Sequence, residues 1–186
     1  GECPDETLAS TTSLAFEDTT VGASNAFFDA CGGQVSADRS YAFTAPEAGL
    51  YSFSTIGSEI DTTLALREHC DAAAWICNDD MDWVTTDSRI VVQLEEGETQ
   101  IVVVDGHGVE PGAIAVQVEK VGCVDEVAPS NSQWQLDGST VGGVNRLAGS
   151  CGGQAAPDWI VEWVAPEAGS FVVSTTGSDY DTVLHA

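Results

Sequence analysis

With 186 residues and 43% hydrophobic content, the chain can bury a sizeable core, which excludes intrinsic disorder. Thirty Asp and Glu side chains against five Lys and Arg give a net charge of −25, which repels nucleic acid and leaves a self-repelling surface that salt or bound divalent cations relieve. No run of about 18 apolar residues occurs, so membrane insertion is not expected, and the opening Gly1-Glu2-Cys3, with no charged-then-apolar leader, reads as a secreted chain whose signal peptide has been removed.

Short alternating runs rich in Val, Tyr, Phe and Thr, broken by Gly, Pro and Asp, predict strands throughout. In chain order these are weaker strands at 13–16 and 20–23, then 39–44, 49–55, 62–67, 88–94, 99–104 and 113–119. No segment with helical period competes. Residues 46–49 and 95–98 read as hairpin connections, and 105–108 as a turn into the last strand. About eight antiparallel strands per copy predict an all-β, two-sheet β-sandwich of jelly-roll-like form.

The sequence repeats itself at an offset of 120 residues. Cys3 aligns with Cys123, the run Cys31-Gly32-Gly33-Gln34 with Cys151-Gly152-Gly153-Gln154, and Ala45-Pro46-Glu47-Ala48-Gly49 with Ala165-Pro166-Glu167-Ala168-Gly169. Without a gap, 25 of 64 positions are identical. Residues 1–120 are therefore expected to form a complete sandwich repeat and 121–186 the N-terminal half of a second. Half a sandwich cannot bury its core, so a continuing array is expected in preference to strands lent by another molecule.

Six cysteines in a histidine-poor chain point to disulfides. The repeat suggests local pairs: Cys3 with Cys31, Cys123 with Cys151, and Cys70 with Cys77. On a loop-entropy basis the longer loops contribute roughly 3.5 kcal/mol each and the short one roughly 2.5 kcal/mol. The paired short spacings of zinc knuckles are absent.

The run Ser58-x-x-Asp61-Thr62-x-Leu64, the Cys77-Asn78-Asp79-Asp80 that follows, the strand from Gly97 to Gly106 and the closing Gly112-Ala113-Ile114-Ala115-Val116-Gln117-Val118 together resemble the bacterial pre-peptidase C-terminal domain, in its cysteine-bearing tandem form. The resemblance covers nearly all of the first copy and the first half of the second. It implies a jelly-roll-like β-sandwich, itself non-catalytic, appended to secreted enzymes or strung in arrays, with some relatives binding calcium or polymeric substrates. No peptidase accompanies the domain in this sequence.

The acidic loop Asn78-Asp79-Asp80-Met81-Asp82 offers oxygen ligands, with Asp61, Asp87 and Asp105 as additions from neighbouring turns. Calcium is the expected guest, because it accepts six to eight oxygens in flexible geometry. The site is not an EF-hand: counted from Asn78, its sixth position is Trp83 and its twelfth Arg89. A solvated acidic turn is the competing reading. Asp61 and Asp181 precede threonine in both copies, a placement that suits an Asx turn better than metal ligation.

Catalysis is not expected. His69, His107 and His185 lack counterparts where one is available, and no nucleophile elbow, zincin motif, P-loop or dinucleotide fingerprint occurs. Trp75, Trp83, Trp134, Trp159 and Trp163 are read as core or interdomain packing ahead of a sugar-stacking platform. The sequence thus predicts a secreted, extracellular or cell-surface repeat protein, structural or adhesive, whose partners are other copies of itself or an extracellular polymer. A substrate- or carbohydrate-binding accessory module of a secreted hydrolase is the alternative.

Overall fold

The computed structural model describes residues 3–32, 35–81, 85–108, 111–141, 143 and 156–184. The chain divides into two units, Gly1–Val121 and Gly122–Ala186.

Among the described residues unit 1 contains nine strands: β1 (Glu6–Thr7), β2 (Ser13–Thr19), β3 (Asp38–Thr44), β4 (Gly49–Ser54), β5 (Thr62–Arg67), β6 (Ile76–Asn78), β7 (Arg89–Leu94), β8 (Thr99–Gly106) and β9 (Ala113–Val121). They form one sheet in the order β1-β3-β8-β5-β6 and another in the order β2-β9-β4-β7. All pairs are antiparallel except β1 with β3, which is parallel. The expected all-β sandwich is what unit 1 forms.

Alternation places Tyr41, Phe43, Leu64, Leu66, Val102 and Val104 of the five-stranded sheet against Tyr51, Phe53, Ile90, Val92, Leu94, Ile114, Val116 and Val118 of the other. The aromatic rings meet edge-on or tilted, with Phe16 5.2 Å from Tyr41, and Phe43 5.5 Å from both Tyr51 and Phe53. The Tyr41 hydroxyl stays protonated well above its ordinary range because it is buried and donates to Asp18. Asp18 also accepts from Thr19 N–H and Arg39. These bonds outweigh the upward push of burial and hold its carboxyl below the ordinary value.

Two connections expected to be hairpins are instead arches. The segments at 46–49 and 95–98 carry the chain from β3 to β4 and from β7 to β8, and each of these pairs straddles the two sheets. Inward alternation looks the same whichever sheet a strand joins, so sequence pattern cannot separate a hairpin from a crossing. Residues 20–23 are a turn, with Gly22 at φ 82°, and the β2 strand takes the residues up to Thr19.

The five-stranded sheet is covered on its outer side as well. Phe27, Ala65, Ile101 and Val103 form a second apolar cluster there, packed against Cys3, Ala42, Cys70, Ala74 and Cys77. This explains the unbroken apolar run in β8, which is buried on both faces.

Here the cysteine pairing departs from expectation. The bonds are Cys3–Cys70 and Cys31–Cys77, each with Cα atoms 5.9 Å apart. Nearness in sequence favoured local pairs, but the fold lays Cys3 and the loop bearing Cys31 over the β5–β6 hairpin, and only Cα separation in the folded chain decides which sulfurs can bond. Cys123 is exposed and bonds no described residue; its expected partner, Cys151, lies outside the described residues.

Arg67 ties the same outer layer together. Its guanidinium pairs with Asp29 at 2.5 Å, donates to Ala72 O at 2.6 Å and stacks 4.5 Å from the centre of the Phe27 ring. Both partners of the ion pair are about nine-tenths buried. Arg67→Met is expected to cost about 3 kcal/mol, because it strands the Asp29 charge. Urea titration measures the effect, and an unchanged midpoint would show that the pair holds nothing.

Among the described residues unit 2 has one parallel pair, β10 (Glu126–Val127) with β11 (Val161–Glu162). Its register, Glu126 opposite Val161, is that of Glu6 opposite Tyr41 displaced by 120 residues on both strands. Other details recur at the same offset. Asp5 Oδ2 accepts from Ser40 N–H at 2.7 Å, and Asp125 Oδ2 from Ile160 N–H at 2.6 Å. The Thr55 and Thr62 hydroxyls meet at 2.6 Å, as do those of Thr175 and Thr182. Gly57 and Gly177 take positive φ of 97° and 105° in the intervening turn.

Candidate metal centre at one end of the five-stranded sheet

Strand β5 runs antiparallel to both of its neighbours, β8 and β6. The start of β5 therefore lies beside the ends of the other two, with Thr62 opposite Gly106 and Leu64 opposite Asn78. Asp61 immediately precedes β5, Asp79 immediately follows β6 and His107 immediately follows β8. Backbone bonds fix this end of the sheet: His107 N–H donates to Asp61 O at 2.9 Å, and the Ser88 hydroxyl donates to Asp79 O.

The three side chains converge. His107 Nδ1 lies 3.5 Å from Asp61 Oδ2 and 3.5 Å from Asp79 Oδ1, and one ligand atom from each residue falls within 4.8 Å of the other two. Burial raises the Asp79 carboxyl above its ordinary value; His107 opposes the rise, while the Asp80 and Asp61 charges add to it. Asp61 Oδ1 and Asp79 Oδ1 are shielded from solvent and accept no hydrogen bond among the described residues. The Asx turn expected at Asp61 is accordingly not seen among the described residues.

Of the five residues expected to hold calcium, the fold brings together two. The side-chain oxygen of Asn78 accepts from Arg89 N–H at 2.9 Å and its amide donates to Asp80 O at 3.1 Å, so Asn78 braces the loop instead of facing the cluster. Asp80 is exposed and outside it, and Asp82 lies outside the described residues. The Asp87 carbonyl accepts from Met81 N–H at 2.8 Å. Calcium takes six to eight oxygens from carboxylates, carbonyls and waters; the described cluster supplies two carboxylates beside an imidazole.

Asp105, the other expected addition, belongs to a different arrangement. It faces Asp38 across the β3–β8 ladder on the outer side of the sheet and accepts from the Ser36 hydroxyl at 2.5 Å. Burial pushes its carboxyl up to about 7, with the Asp38 and Asp29 charges adding and Ser36 opposing. Asp38 is raised too, chiefly by burial, although it accepts from Phe27 and Ala26 N–H at 2.9 and 2.6 Å.

The residue that sequence reasoning missed is His107. Judging histidines by whether a counterpart exists tests only His185, which lies outside the described residues; at His107 the repeat is silent. The tryptophans separate. Trp75 donates from its indole to Gln100 Oε1 at 2.9 Å. In unit 2, Trp163 packs against Trp134 at 6.3 Å and Phe171 at 4.8 Å, along a groove of ≈ 170 Å³. Trp159 lies against Gly138, and Trp83 is outside the described residues.

Neither a protein-family model nor any curated protein matches the sequence. Among solved structures, the chain is similar to the pre-peptidase C-terminal domain of a collagenase from Bacillus anthracis, with a TM-score of 0.44 and 12% identity over 64% of this chain and 99% of that one. It is also similar to PliG of Aeromonas hydrophila, a periplasmic inhibitor of g-type lysozyme, with a TM-score of 0.35 and 15% identity over 57% of this chain and 82% of that one. No helix among the described residues is long and apolar enough to cross a membrane.

Proposed function

We propose that the chain belongs to an extracellular, non-catalytic structural or adhesive protein in which copies of this sandwich follow one another in a tandem array. The observation that carries the reading is the recurrence, at one offset of 120 residues, of the parallel strand pair, the aspartate bonded to its backbone and the threonine hydroxyl pair. Exposure supports it. Val173 and Leu184 are 47% and 45% exposed, whereas Phe53 and Leu64, which hold the same places in unit 1, are each 1% exposed. Apolar positions of this kind call for covering strands like those of unit 1. The cysteines point the same way. In the sequence Cys123 and Cys151 align with Cys3 and Cys31, and those two bond residues from the later half of unit 1. Disulfides and a strongly acidic surface suit an oxidising, saline exterior.

The test is the mass of the intact native chain, combined with negative-stain images. A chain of several modules forming elongated, regularly beaded particles is expected; dispersed particles of one or two units would overturn the array.

The groove lined by Trp134, Trp163 and Phe171 favours a second reading, an accessory module that binds a polysaccharide. It stands second because Trp163 and Phe171 hold the places of Phe43 and Tyr51, which are core residues in unit 1. Quenching of tryptophan fluorescence by soluble polysaccharide would reverse that order.

A further inference from the structure

We propose that Asp61, Asp79 and His107 bind a divalent transition-metal ion of the zinc class, in a three-ligand site that leaves one coordination position open. The distances carry the argument. At 3.5 Å, His107 Nδ1 is too far from either carboxylate oxygen for a well-made N–H···O bond. Two ligands bound at about 2.1 Å around a tetrahedral ion stand about 3.4 Å apart, close to the separation of both histidine–carboxylate pairs, and the two carboxylate oxygens lie within 4.8 Å of each other. A second observation is that Asp61 Oδ1 and Asp79 Oδ1, the latter also the atom nearest His107, are shielded from solvent and accept no hydrogen bond from a described residue. Buried carboxylate oxygens without donors are rare, and a cation satisfies them.

The donor set selects the metal. One imidazole nitrogen with two carboxylates suits zinc and its neighbours among first-row ions, whereas calcium takes oxygen donors and more of them. The surroundings hold the imidazole ready. Gly32 lies so close that a Cβ there would come within 3.1 Å of His107 Cδ2. Its neighbour Cys31 is bonded to Cys77, two residues before Asp79. The disulfide therefore braces both the ring and the Asp79 loop, and the adjoining strand ends fix Asp61. Such preorganisation raises the affinity of a site with only three protein ligands.

The experiment uses the full chain, stripped with chelator, with any free thiols alkylated so that Cys123 cannot ligate metal. Calorimetric titration with zinc chloride, and separately with calcium chloride, is run on the native sequence and on D61N, D79N and H107Q. One zinc per chain is expected, with affinity reduced by more than about tenfold in each variant and calcium binding weaker than zinc. Cobalt chloride is expected to give the intense visible absorption of a tetrahedral site, lost in H107Q. Near-ultraviolet circular dichroism verifies that each variant is folded; because His107 and Asp61 lie at the sheet margin with side chains 48% and 42% exposed, H107Q and D61N keep the test valid if D79N unfolds. Absence of stoichiometric zinc binding, equal affinity in H107Q, or calcium binding tighter than zinc would each overturn the proposal.

Discussion

Replacing Cys31 and Cys77 together by serine is expected to lower the unfolding free energy of the first unit by roughly 4 kcal/mol, and replacing Cys3 and Cys70 by a similar amount. The size follows from the pairing. The bonded cysteines are 46 and 67 residues apart, so each bridge closes a much longer loop of the unfolded chain than a local pairing would, and removes more of its entropy. Small domains hold about 5–15 kcal/mol in total, so reduction of both bridges is expected to unfold unit 1 at ordinary temperature. Urea titration of the oxidised, singly bridged and reduced forms measures this. Proteolysis without reduction checks the connectivity directly: peptides joining Cys3 to Cys31 and Cys70 to Cys77 would refute the arrangement.

The second large effect is a gain of stability on acidification. In the folded chain Asp105 keeps its proton up to about pH 7, because its carboxyl is buried beside Asp38. The unfolded chain releases that proton near pH 4. Between those values the folded state binds more protons, so stability falls as pH rises; the contribution is fully present below about pH 4 and is lost through pH 7, amounting to about 4 kcal/mol. Asp38 is raised for the same cause and adds with the same sign. Asp18, held below its ordinary value, works in the opposite direction, but only below about pH 4. Relief of the net charge of −25 acts with Asp105. Melting temperature in the presence of chelator is therefore expected to be higher at pH 5 than at pH 8. In D105N the slope should flatten, since the amide oxygen keeps the Ser36 bond without a charge to bury. Parallel curves for the two proteins would show that Asp105 titrates like an exposed carboxylate.

Most of the strands were legible because their signal is local. The run at 62–67 forms the strand Thr62–Arg67, and the run at 99–104 lies within Thr99–Gly106; β-branched alternation between turn residues specifies an extended backbone wherever it packs. Strands β1 and β6 were not legible. With two and three residues they carry no periodicity, and they exist because a neighbouring edge pairs with them. The outer apolar layer left only a trace in the sequence, the unbroken Ile101 to Val104 run: Phe27, Cys3, Cys70 and Ala74 come from loops that no period describes, and Ala42, Ala65 and Cys77 are single small residues on β3, β5 and β6.

The candidate site divides in the same way. The Asn78 to Asp82 loop advertises oxygen ligands by composition, yet two hydrogen bonds turn Asn78 to bracing. His107 carries no local signal at all. It joins Asp61 and Asp79 because β5 is antiparallel to strands on both sides.

The all-β class, the bounds of the longer strands and the 120-residue periodicity are settled by chemistry within a few residues or by comparison of the chain with itself. Sheet membership, cysteine pairing and the meeting of Asp61, Asp79 and His107 depend instead on distances between residues tens of positions apart. Those distances exist only once two sheets have buried their apolar faces against each other, because a strand's alternation says which side turns inward and not which neighbours it finds there.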